Sequence, residues 1–162
     1  MKTMTVSSDE NIARLVSSEW VLNGILQPVA FTLNYGETYL SVNRPIIQSY
    51  DTDVRTFIEA HPRFSIDSNE HKYRRALLNV GEVRECKAMV GDTDLRVDVE
   101  VEPRTSHIKS HAGIFTRFLG NNVKPGQTFR VENTSSEISA DTILLEIRTC
   151  LMEIATLETC IF

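Results

Sequence analysis

The eight residues Leu95-Arg-Val-Asp-Val-Glu-Val-Glu102 alternate apolar and charged side chains without interruption. Only a β-strand sends successive side chains to opposite faces. Leu95, Val97, Val99 and Val101 therefore share a buried face, and Arg96, Asp98, Glu100 and Glu102 share a wet or occupied one. Such a strand excludes an all-helical fold and points to an antiparallel sheet covered by an apolar layer on one side. The 162 residues, 41% hydrophobic and 24% charged, suffice for one domain with its own core and rule out disordered, collagen-like and coiled-coil chains.

Around this strand the chain reads as short elements separated by turn residues. Ser8 and Asp9 precede Ile12, Leu15, Val16 and Trp20, a spacing that predicts an amphipathic N-terminal helix ended by Gly24 and Pro28. Residues 29–33 and 38–42 read as a β-hairpin across Asn34-Tyr-Gly36. Asp51 is placed to cap a helix through Ala60 that buries Val54, Phe57 and Ile58 before Pro62. Residues 74–80, 83–90 and 95–102 form a predicted meander with turns at Gly81-Glu82 and Gly91-Asp92, and 106–119 carries helical spacing through Ile108, Ala112, Phe115 and Leu119. Residues 128–131 read as one more short strand. Ser139 caps the clearest helix, with Ile143, Leu144, Ile147, Cys150, Leu151 and Ile154 on one stripe that Leu145, Met152, Leu157, Ile161 and Phe162 extend.

The expected architecture is a single α+β domain over 1–162. It has a mainly antiparallel sheet of about five or six strands, an N-terminal helix and a long apolar C-terminal helix.

Composition narrows function mainly by exclusion. No run reaches the ~20 apolar residues of a membrane helix, and the first residues carry one Lys and no apolar segment, so neither a span nor a secretory leader is expected. Cys86, Cys150 and Cys160 are odd in number and lack CxxC spacing, which favours reduced cytosolic thiols. A net charge of -5 makes nucleic acid an unlikely direct ligand. The charge is uneven: Lys72, Arg74, Arg75, Arg84 and Lys87 form a basic strip, followed by five carboxylates between Asp92 and Glu102. These strips pair with each other, stay solvated, or make a dipolar surface that orients a partner or a small anion.

The chemistry-bearing residues concentrate in Arg104-Thr-Ser-His107-Ile-Lys109-Ser110-His111. His107 and His111 stand at i and i+4, metal-ligand spacing on a helix, but no HExxH glutamate accompanies them. Only His71 or an acid of 98–102 could complete a site, so no metal and no cofactor is assigned. Glu85-Cys-Lys87 has the ExK form of metal-dependent nucleases without a strand-borne upstream Asp, since Asp67 is the only near acid, and a solvated sheet face accounts for these residues better. The alternative to a metal is a His-based anion site. His111, with His107, would act as acid or base beside Arg44, while Arg104, Lys109, Ser110 and Arg74 hold a phosphate or nucleotide.

Taken in order, Tyr39-Leu-Ser-Val-Asn-Arg44, Leu78-Asn-Val-Gly-Glu-Val-Arg84 and Ser110-His-Ala-Gly-Ile114 resemble segments of small uncharacterised bacterial proteins from mobile-element or defence gene clusters. The resemblance implies no catalytic role. It implies that Arg44 and His111 belong to one site, in a bacterial cytosolic protein that acts beside partners. Two functions follow as expectations. The first is a non-enzymatic interaction subunit of a bacterial multiprotein system, docking on a partner or a second copy through the apolar C-terminal helix. The second is a His/Arg-based enzyme or nucleotide-binding module built on Arg44 and His111.

Overall fold

The computed structural model describes residues 5–67, 72–88, 97–130 and 137–161. Along the chain the strands are β1 Asn11–Val16, β2 Val21–Leu22, β3 Ile25–Leu26, β4 Leu40–Asn43, β5 Ser65–Asp67, β6 Lys72–Asn79, β7 Val97–Pro103, β8 His111–Phe118, β9 Asn121–Asn122, β10 Thr128–Arg130, β11 Glu137–Ser139 and β12 Thr156–Ile161. The helices are α1 Tyr50–Ala60, α2 Val80–Arg84 and α3 Ala140–Ile154. The main sheet runs β12-β6-β1-β4-β8-β7, antiparallel throughout, with β5 on β6 and β9 on β8. The α+β class and the mainly antiparallel sheet are as expected, but the sheet has eight strands rather than five or six, because the short β5 and β9 add to its path.

That strand, β7, buries Val97, Val99 and Val101 and turns Asp98, Glu100 and Glu102 outward. The buried residues join Ile12 and Val16 of β1, Val42 of β4 and Ile114 of β8 against Ile143, Ile147 and Leu151 of α3. Full burial of each such side chain contributes roughly 1.5–3 kcal/mol. On the opposite face of the sheet, α1 lays Tyr50, Val54 and Ile58 against Ala13, Tyr73 and Phe64. Continuing from β6, α2 also packs on β7, so the sheet curls around α3. The Arg84 guanidinium of α2 pairs with Glu100 and donates to the Val6 and Val101 carbonyls. Arg84 and Glu100 thus join the basic and acidic strips, whereas Arg75 pairs with Glu158 and Glu102 with Arg117; residues 89–96 and His71 lie outside the described residues.

Several expected elements are corrected. The N-terminal helix is strand β1, and the segment expected as helix 106–119 contains strand β8. Both strands are central in the sheet and buried on two faces, so each reads as an apolar run whose spacing mimics a helix. Residues 28–31 form a 3-10 turn, because Pro28 at its first position fixes φ for a helical turn. The hairpin forms instead between β2 and β3, where Asn23 and Gly24 both take positive φ, 51° and 78°. The strand expected at 83–90 is replaced over its first residues by α2, started by Asn79, whose side chain accepts the Glu82 N–H. Ser49 rather than Asp51 occupies the N-cap position of α1.

The long apolar C-terminal helix is also corrected. Ser139 accepts the Asp141 N–H and starts α3 as expected, but α3 stops at Ile154. Residues 156–161 return as edge strand β12, pairing from Thr156↔Leu77 to Ile161↔Lys72. The stripe Ile143-Ile147-Leu151 is spent on the core. Cys86 and Cys150 are joined as a disulfide, with Cα atoms 6.0 Å apart, where three reduced thiols were expected; Cys160 alone is free.

Candidate functional site

The sheet carries its own opening. β1 and β4 are in register at a single position, Ala13↔Asn43, and beyond it the two strands part. The Arg14 guanidinium fills the gap: Nε donates to the Ala30 carbonyl at 2.5 Å and Nη1 to the Ser41 carbonyl at 2.8 Å. A guanidinium thereby satisfies the Ser41 carbonyl that a paired strand would have bonded. The gap opens into a cleft of about 480 Å³ beside α1, within the range of small-molecule sites. Trp20, Phe57 and Phe64 make its apolar wall, with the Trp20 and Phe64 rings edge-on at 5.7 Å and the Phe57 and Phe64 rings 5.3 Å apart. Arg63 lies at the same cleft over the Phe64 ring, at 4.9 Å. Ser41, Asn43 and His111 make the facing wall because β4 and β8 pair Asn43↔His111.

A hydrogen-bond chain holds this wall to α1. Asn43 Nδ2 donates to Ser110 Oγ at 2.9 Å, and Ser110 Oγ donates to Asp53 Oδ2 at 2.6 Å. The Ser110 N–H and the Ser49 hydroxyl reach the same oxygen at 3.1 and 2.9 Å. Burial works against the Asp53 charge, but the Ser110 and Ser49 hydroxyls and the Ser110 N–H outweigh it. With His107 nearby they hold the carboxyl below its ordinary range. Asp53 is therefore ionised and anchored rather than poised as an acid.

His111 Nε2 stands 3.4 Å from Ser41 Oγ. Burial, and then the Arg104 charge, lower its pKa from the ordinary 6.5, so it faces the cleft as a neutral imidazole at pH 7. The unfolded chain takes up this proton first as pH falls. Stability present above about 6.5 therefore declines below it. Urea midpoints between pH 7 and 5 are expected to fall more steeply in the native chain than in His111→Gln; equal slopes would contradict the assignment.

Gly113, two residues after His111 on the same strand, shapes the neighbouring surface, while Ala112 and Ile114 turn into the core. A Cβ added at Gly113 would lie 2.6 Å from Tyr39 Cδ2, so the glycine is the seat of the Tyr39 ring. Arg104 stacks over that ring at 4.6 Å and over Phe115 at 5.4 Å, and its N–H donates to the His111 carbonyl.

The structure separates the residues expected at one site. His111 lines the cleft, and buried Ser110 supports it from behind. Arg104 acts on His111 through its charge. His107 and Lys109 are exposed in the loop before β8, so His107 and His111 share no helix face. Arg74 sits on β6 opposite Val16 and Thr159 and does not line the cleft. The Arg44 side chain is buried against Glu10 (Nε–Oε1 2.6 Å, Nη2–Oε2 3.0 Å) and does not line it either, although the Arg44 N–H donates to the Ser110 carbonyl. Of the strand acids, Glu102 is engaged with Arg117 and Glu100 with Arg84, and Asp98 is exposed. Glu85 follows α2 rather than riding a strand, which removes the ExK geometry. Among the described residues no three His, Cys, Asp or Glu converge as a metal site.

The residues missed at the sequence level are Arg14, Trp20, Asp53, Phe57, Arg63 and Phe64. One signal was available: Arg14 interrupts the apolar run Ile12-Ala-Arg-Leu-Val16, and a charge inside a buried strand needs a purpose. No protein-family model, curated protein or solved structure matches the chain.

Proposed function

We propose that this chain is a small-molecule-binding module whose ligand lies in the cleft between the parted strands β1 and β4 and helix α1. The observation that carries the reading is the cleft itself, about 480 Å³ with an aromatic wall facing Ser41, Asn43 and His111. An apolar surface with a few convergent polar groups is the general form of such sites. The reading keeps His111 from the His/Arg expectation and exchanges Arg44 for Arg14. Docking through the C-terminal helix has less support, since its apolar stripe faces the core.

Trp20 is the chain's only tryptophan and lines the cleft, so its fluorescence reports occupancy without background. Titration with benzyl alcohol, phenylacetamide and phenylacetate is expected to change that signal saturably. Phe57→Ala is expected to weaken the strongest of these about tenfold through lost apolar contact. No saturable change with any of them up to the millimolar range would refute the reading.

A further inference from the structure

Arg44 pairs with Glu10, Arg75 with Glu158, Arg84 with Glu100 and Arg117 with Glu102. Arg14 differs. It is set between two strands, 5.5 Å from the Trp20 ring centroid, and donates to two neutral carbonyls, those of Ala30 and Ser41. A guanidinium carries five N–H groups; two are used here, leaving three without a protein acceptor among the described residues. Glu37 attracts it only from beyond salt-bridge range, while its own Oε1 accepts the Asn34 N–H. Asp53, the other acid at the cleft, is tied to Ser110 and Ser49. Burial pushes the Arg14 guanidinium down to about 10, Glu37 partly offsetting it, so the group stays charged at neutral pH. Behind the wall, Arg148 reaches Thr32 of the cleft with a neutral oxygen as partner and its Nε buried without one. Arg63 adds a cation at the cleft, with no carboxylate partner among the described residues.

A half-buried cation with spare donors and no carboxylate in reach among the described residues, set at a ligand cleft, is suited to an anion. We infer that the ligand carries an oxyanion that binds Arg14 and a flat apolar body that lies against Trp20, Phe57 and Phe64. This rests on the cleft being the binding site. The fork of the guanidinium fits two acceptor oxygens of a carboxylate or a phosphate ester equally. The neutral His111 and Asn43 face the ligand from the other side and add no cation to Arg14 and Arg63.

Phenylacetate, phenyl phosphate and the neutral phenylacetamide, titrated against the intact chain at low salt, separate the possibilities. At least one anion is expected to bind roughly tenfold or more tightly than phenylacetamide, as a charge-assisted pair gains over a neutral one; which anion leads identifies carboxylate or phosphate. Arg14→Gln is expected to erase the preference, bringing the anions to the affinity that phenylacetamide shows in the same variant. Should Arg14→Gln fail to fold, Arg14→Lys decides, because a lysine lacks the fork and must shrink the preference several-fold. Equal binding of all three compounds would overturn the anion inference and leave the cleft reading standing. Absence of binding by any would sink both. A preference that persists undiminished in Arg14→Gln or Arg14→Lys would remove Arg14 as its source.

Discussion

Replacing Glu10 with Ala is expected to lower the unfolding free energy by about 3–5 kcal/mol. Glu10 and Arg44 are 9% and 5% exposed and meet through two hydrogen bonds, at 2.6 and 3.0 Å. Deleting the acid leaves a guanidinium charge buried without its counterion, the costly half of such a pair. Removing both charges together is expected to cost far less, so Glu10→Leu with Arg44→Met should recover most of the loss. Urea unfolding at pH 7 followed by Trp20 fluorescence measures both variants. A loss below about 1 kcal/mol in the single variant, the range of an exposed ion pair, would show that the pair is not buried as described. The consequence reaches the cleft, because Arg44 follows β4 directly and its N–H donates to the Ser110 carbonyl. Arg44 is a support for the wall that carries Asn43 and His111 rather than a ligand contact.

Breaking the Cys86–Cys150 disulfide is expected to cost about 4 kcal/mol, the loop-closure entropy of a long cross-linked segment. The bond spans 64 residues and ties the segment after α2 to α3, the helix around which the sheet curls. Strands β7, β8 and β9 of the main sheet lie between these two cysteines, so the cross-link closes a long loop in the unfolded chain. Cys86→Ala with Cys150→Ala, or the native chain under reductant, should unfold at a correspondingly lower urea concentration. Thiol titration of the denatured, unreduced chain should find one reactive group, Cys160. Three titratable thiols, or an unchanged midpoint under reductant, would contradict the cross-link.

Legibility followed burial. Where one face of an element is covered and the other is wet, the period survives in the residues: β7 with its Val97-Val99-Val101 face, and α3 with Ile143, Ile147 and Leu151 behind its Ser139 cap. Where both faces are covered the period is lost, and β1 and β8 passed for helices because Ile12, Leu15 and Val16, or Ala112 and Phe115, also stand at helical spacing. Edge strand β12 failed for a related reason, since Leu157 and Ile161 continue the i, i+4 pattern of the helix before them.

The site divides along the same line. His111 and Ser110 stood out by residue type within a short segment, and both are at the wall. Arg44 also stood out by type, yet its role depends on Glu10, thirty-four positions away. Arg14 gained its role only because β1 and β4 pair once and then part. By itself the sequence determined a mainly antiparallel sheet, the presence of α1, the start of α3 at Ser139, and a short polar segment around His111, all set by local spacing and capping. The tertiary structure alone decided which strands lie at the centre, which arginine is paired and which is left with spare donors, and that a cleft exists at all. Those depend on strand order and register, which join residues distant in the chain and leave no local period to read.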